Sequence, residues 1–123
     1  MASAPRGHGL GAAFGYAFEG CAAAWRTQRN VRIHAAVAVV VVIAGIALRF
    51  PPLAWAVVAL TIAFVIAVEL LNTAVEAVVD LVSPEHHPLA KRAKDVAAAA
   101  VLIAAIGAVA AGVALLASVI GTR

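Results

Sequence analysis

A chain of 123 residues that is 65% hydrophobic and only 12% charged, with a mean hydropathy of +1.05, is too apolar for water to be its main solvent. Soluble domains average about 45–50% apolar and about 25% charged residues. The net charge of +3 and the pI of about 9.8 argue weakly for nucleic acid, because the basic residues flank apolar spans instead of gathering with aromatics in one patch.

The length allows a single domain, 1–123, whose stability comes from helix packing rather than a large private core. The lone Cys21 has no partner for an internal disulfide and reads as a small helix residue. Residues Met1 to Gly20 lack the basic start, apolar run and cleavage site of a signal peptide, so the N-terminus is expected to be retained.

Residues 1–11, rich in Gly, Ala and Pro, predict a frayed tail. Over about 12–28, Phe14, Phe18, Cys21 and Trp25 recur at steps of four, three and four. This pattern predicts an amphipathic helix lying in the membrane interface, with Arg26 and Arg29 near its end. A first apolar run predicts a span over about 31–50, stopped by Pro51-Pro52. A second is expected over about 53–82, ending before Ser83-Pro84, and a third over about 92–120, starting between Leu89 and Asp95. The expected fold is an all-α membrane protein: an N-terminal interfacial helix plus three transmembrane helices. Arg6, Arg26, Arg29 and Arg32 precede the first span, and Lys91, Arg92 and Lys94 lie between the second and third. The positive-inside rule then puts the N-terminus and the 83–95 connection in the cytoplasm. Ala100, Ala104, Ala108 and Gly112 form a stripe of small residues that predicts a packing seam on the third helix.

Chemistry enters with Glu69, Asn72, Thr73, Glu76 and Asp80 in an otherwise apolar stretch. Steps of three, four and four put Glu69, Asn72, Glu76 and Asp80 on one helical face, with Glu69 roughly 10 Å deeper than Glu76. Each ionisable group at membrane depth costs on the order of 2.5–3.5 kcal/mol, so a cation is needed to offset the three acids. Their hard oxygens suit Mg²⁺ arriving with substrate phosphates; the competing structural reading is an ion-pair cluster with Lys94 or Arg92. The polar connection Ser83 to Asp95 carries His86, His87 and three basic residues, cations a polyphosphate would find, although such a cluster is also an ordinary positive-inside flank. His86-His87 alone is too short a signal for zinc, and without a Walker loop any nucleotide must be held in another way.

The run Glu69-Leu70-Leu71-Asn72-Thr73-Ala74-Val75-Glu76-Ala77-Val78-Val79-Asp80, followed by Pro84-Glu85-His86-His87-Pro88-Leu89-Ala90-Lys91 and Ala93-Lys94-Asp95, closely resembles the signature of the prokaryotic diacylglycerol/undecaprenol kinase family. The resemblance extends from about Gly15-Tyr16 onward through nearly the whole chain. The segment Arg29-Asn30-Val31-Arg32-Ile33-His34 and the Ser83 to Lys91 loop look more like the undecaprenol kinase branch. The resemblance implies a homotrimer in the bacterial inner membrane, multi-pass, with N-terminus and active site cytoplasmic. It also implies a Mg²⁺-dependent transfer of the ATP γ-phosphate to a lipid hydroxyl. Undecaprenol is favoured as acceptor by the branch resemblance, with diacylglycerol as the alternative.

Carried onto this sequence, the resemblance makes Glu69 the general base and, with Asn72, a substrate contact. Glu76 becomes a metal ligand that also meets the nucleotide, with Tyr16, Glu85, His86, His87, Lys94 and Asp95 around ATP. Many members have a second metal-binding Glu just before the first span, where this chain has Gln28; its amide oxygen can ligate Mg²⁺ but adds no negative charge. A rival reading from the residues, a small proton-coupled transporter, is opposed by the clustering of the acids toward one membrane face.

Overall fold

The computed structural model describes residues 6–122, which form four α-helices: α1 (Leu10–Thr27), α2 (Arg29–Ala47), α3 (Pro52–Val82) and α4 (Pro88–Gly121). No strand occurs among the described residues. The expected tail is shorter than 1–11: its first five residues lie outside the described part, Gly9 (φ 114) provides the left-handed entry to α1, and the helix begins at Leu10. Gly7 already docks on α1, its N–H donating to the Tyr16 hydroxyl at 2.7 Å.

The apolar face read from the spacing is present and uncovered: Phe14, Phe18 and Trp25 are all more than half exposed, and Cys21 is exposed as well. Only Gln28, extended at φ −115 and ψ 108, separates α1 from α2, serving as C-cap of one and N-cap of the other. Helix ends leave carbonyls without intrahelical partners. Here Arg32 reaches back, its Nη1 donating to the carbonyls of Trp25 (2.6 Å) and Arg26 (3.4 Å).

The first span ends at Ala47, short of the expected 50, because the chain turns before its prolines. The Phe50 N–H donates to the Gly45 carbonyl (2.9 Å) and the Arg49 N–H to the Ile46 carbonyl (3.2 Å), with Arg49 left-handed at φ 53. That is a Schellman closure with arginine where glycine is usual. Pro51 then caps α3 and Pro52 opens it, the position at which a missing N–H costs nothing. The last helix starts at Pro88, ahead of the expected Leu89–Asp95 window, since Pro88 again takes the first helical position and the His87 Nδ1 accepts from the Leu89 N–H at 3.1 Å.

α3 is the central helix. It packs along α4 most extensively and against α2 less so, while α2 and α4 stand apart across an apolar groove of about 320 Å³. The core is small and lies at one end, where Phe50, Ala54, Val58 and Val119 are buried beneath Trp55 and Leu115. Of the small-residue stripe, Ala104 is buried and Ala108 and Gly112 line the groove, but Ala100 is exposed. Ile43, Leu60, Phe64, Leu102 and Ile106 are each at least 60% exposed, an arrangement only hydrocarbon or further helices can satisfy. Three helices, α2, α3 and α4, are long and apolar enough to cross a bilayer; the protein is an integral membrane protein. At about 1.5 Å per residue, roughly 20 residues cross the hydrocarbon. The 31 residues of α3 and 34 of α4 are therefore longer than the hydrocarbon is thick, and a crossing that began at Pro52 would put Glu69 near the far hydrocarbon edge with Glu76 and Asp80 beyond it.

Candidate active site

Glu69 is the one buried charged side chain among the described residues, 2% exposed. Its partner comes from another helix: His34 Nε2, on α2, stands 2.9 Å from Oε1. The ring N–H is not aimed along that line, so Oε1 still lacks an aligned hydrogen bond. One turn further along α3, the Asn72 Nδ2 donates to the Glu76 Oε1 at 3.2 Å, which leaves the Asn72 Oδ1 buried without a partner. Thr73 turns its hydroxyl back to the Glu69 carbonyl at 2.9 Å and offers nothing to the site. Native structures rarely leave buried polar atoms unsatisfied. Among the described residues the two such side-chain atoms are Glu69 Oε1 and Asn72 Oδ1, on the residues that the family resemblance assigns to the acceptor lipid.

At the end of α3 and start of α4, a pocket of about 260 Å³ is lined by Asp80, Glu85, His86, His87, Lys94 and Asp95, among others. Five residues expected around the nucleotide thus converge. Lys94 Nζ bonds Asp80 Oδ1 at 2.5 Å, and Lys91 Nζ bonds Asp95 Oδ2 at 2.6 Å, so the cations are held by exposed acids. His87 contributes through its cap of α4, and the Ser83 hydroxyl steadies the connection by donating to the Glu85 carbonyl at 2.9 Å. Tyr16 lies outside this pocket, on α1, with the Arg6 guanidinium 4.9 Å above its ring. Gln28, half-buried, sits at the α1–α2 elbow.

Among the described residues no three acidic, histidine or cysteine side chains converge as a metal cage. Glu76 and Gln28 are each half-buried and each carries a hard oxygen, the donor type that suits Mg²⁺ when one or two protein ligands act with substrate phosphates.

Sequence reasoning missed His34. The available signal was its position near the start of an apolar span, since an ionisable side chain there is a functional candidate by default.

Fold and side-chain placement together define a class: small helical membrane proteins with three apolar helices long enough to cross a bilayer and a buried acid on the central one. Within it, the chain belongs to the prokaryotic diacylglycerol kinase family, whose pattern matches residues 15–116. It is 53% identical over 104 residues to a diacylglycerol kinase of Synechocystis, covering 84% of this chain and 59% of that protein. It is 47% identical over 81 residues to an undecaprenol kinase of Bacillus subtilis, covering 66% of each. A diacylglycerol kinase of Escherichia coli is 38% identical over 97 residues, 79% of this chain and 80% of the relative. The chain thus spans less than two thirds of the length of the Synechocystis and Bacillus relatives.

Proposed function

We propose that the protein is an ATP-dependent lipid kinase that phosphorylates a membrane alcohol at the cytoplasmic interface, with undecaprenol as acceptor. The observation that carries this reading is the pair of unpartnered buried oxygens on Glu69 and Asn72 near the hydrocarbon edge, beside a cation-bearing pocket on the same end of α3. A hydroxyl entering from the bilayer would supply the missing donor. Glu69 takes its proton as the new O–P bond forms and ADP departs, a general-base role. Asn72 orients the hydroxyl, and Lys94 exchanges Asp80 for phosphate oxygens, stabilising charge on the transferring group. Glu85, His86, His87 and Asp95 frame the nucleotide, with Tyr16 contributed from α1. Glu76 and Gln28 would hold one Mg²⁺, which when bound neutralises phosphate charge.

The undecaprenol assignment draws on the Arg29 to His34 segment and the Ser83 to Lys91 loop. A second reading, diacylglycerol, is favoured by the names of the Synechocystis and Escherichia coli relatives. We further propose a homotrimer with cytoplasmic N-termini, since three helices per protomer leave the site and many large apolar side chains uncovered. The test is γ-labelled ATP with purified protein in mixed micelles, offering undecaprenol and diacylglycerol side by side. Label in undecaprenyl phosphate is expected; label only in phosphatidic acid would move the acceptor to diacylglycerol, and label in neither would reject the kinase.

A further inference from the structure

We infer that His34 is a positioning residue that sets the orientation of the Glu69 carboxylate toward the acceptor hydroxyl. The inference rests on the lipid-kinase reading and extends it to a residue outside the α3 stripe and the α3–α4 connection.

Glu69 is 2% exposed, and a carboxylate so enclosed in apolar surroundings needs a compensating group. Its long side chain has several rotamers, and nothing on α3 itself fixes its head: the Thr73 hydroxyl is committed to the backbone carbonyl and the Asn72 amide to Glu76. The nearby polar group is His34 Nε2, 2.9 Å from Oε1, carried on a different helix. His34 is itself half-buried and lines the apolar groove between α2 and α4, whose α3 wall includes Ile66, three residues before Glu69. The approach of His34 ties the head of Glu69 to α2, so that the base keeps one place while a mobile lipid chain approaches, with Oε1 still short of an aligned hydrogen bond and open to the hydroxyl. A small rotation of the imidazole, neutral with hydrogen on Nε2 or protonated, would aim its N–H at that oxygen. A small change in donor placement then alters turnover more than affinity, because a base displaced by about 1 Å can cost roughly 10²-fold in rate.

The experiment measures steady-state phosphoryl transfer by His34→Ala, His34→Gln, Glu69→Gln and the His34→Ala/Glu69→Gln double variant in micelles. His34→Ala is expected to lower kcat by about 10- to 10²-fold with the KM for ATP little changed. His34→Gln, whose amide nitrogen can stand near the place of Nε2, should recover most of that loss. In the Glu69→Gln background the alanine substitution should cost less than about twofold, since a residue acting through Glu69 has nothing left to act on. Should His34→Ala fail to assemble, the contrast between His34→Gln and the shorter His34→Asn carries the same test. Independent, multiplying losses in the double variant, or His34→Ala and His34→Asn at the wild-type rate, would overturn the inference while leaving the kinase in place. Wild-type turnover by Glu69→Gln would overturn the base assignment and this inference with it.

Discussion

At the scale of single residues, the periodicity of α3 made the acids legible: a helical step of about 100° is enough to see that Glu69, Asn72, Glu76 and Asp80 share a face. What spacing cannot disclose is the partner on another helix. His34 touches Glu69 from 35 positions away in the chain, and only the packing of α2 on α3 brings them together. A residue-scale consequence concerns the far end of the bundle. A Cβ at Gly45 would come within 2.7 Å of the Trp55 ring and 3.0 Å of Phe50, so the tilted Phe50–Trp55 pair, 5.7 Å between centroids, depends on glycine. Gly45→Ala should therefore destabilise by about 1–3 kcal/mol through overpacking. Thermal unfolding in detergent, followed by tryptophan fluorescence, checks this; an unchanged midpoint would mean that the aromatic pair yields freely. At the proposed Mg²⁺ site, Gln28→Glu adds the charge that glutamine lacks and should lower the Mg²⁺ concentration for half-maximal rate. A titration showing an unchanged or raised requirement would remove that position from the metal site.

At the scale of elements, helix existence was readable and helix ends were only partly so. The prolines at 51, 52 and 84 marked breaks correctly, but Arg49 in the left-handed region concealed the Schellman closure that stops α2 at Ala47. A glycine there would have announced it. Arg49→Gly should thus stabilise, by up to about 1 kcal/mol, because a non-glycine residue in that conformation carries a steric cost of roughly 1–2 kcal/mol, offset in part by glycine's greater unfolded-state entropy. A lower unfolding midpoint would contradict that. The α3–α4 connection makes a different prediction. Lys94 and Asp80 are respectively 41% and 64% exposed, so their pair contributes little to the fold, about 1 kcal/mol or less. Lys94→Met should leave thermal stability nearly unchanged while raising the KM for ATP severalfold or lowering kcat. If stability collapses and the kinetics of the folded fraction do not change, the lysine is structural.

At the scale of the whole molecule, the composition made a membrane protein certain to be expected, and the three apolar helices realise it. The relation of α1 to the site was less legible. Tyr16 and Gln28 sit on α1 and at its elbow, and neither lines the pocket at the α3–α4 connection. In the proposed homotrimer, a neighbour would bring its α1 region to the α3 stripe. Mixing Glu69→Gln subunits with Gln28→Ala subunits, each inactive alone, should then restore activity in a ratio-dependent way. Absence of rescue in proven mixed oligomers would show that each site is built within one chain.

The proposed role of the buried Glu69 carboxylate as the base of a lipid kinase is tested most directly by one measurement: transfer of the labelled γ-phosphate to lipid by Glu69→Gln beside the wild type, with ATP binding measured on the same preparations. The substitution keeps shape and removes the proton acceptor, so turnover should fall by at least about 10²-fold while ATP affinity is largely retained. Transfer within a few-fold of the wild type would contradict the account.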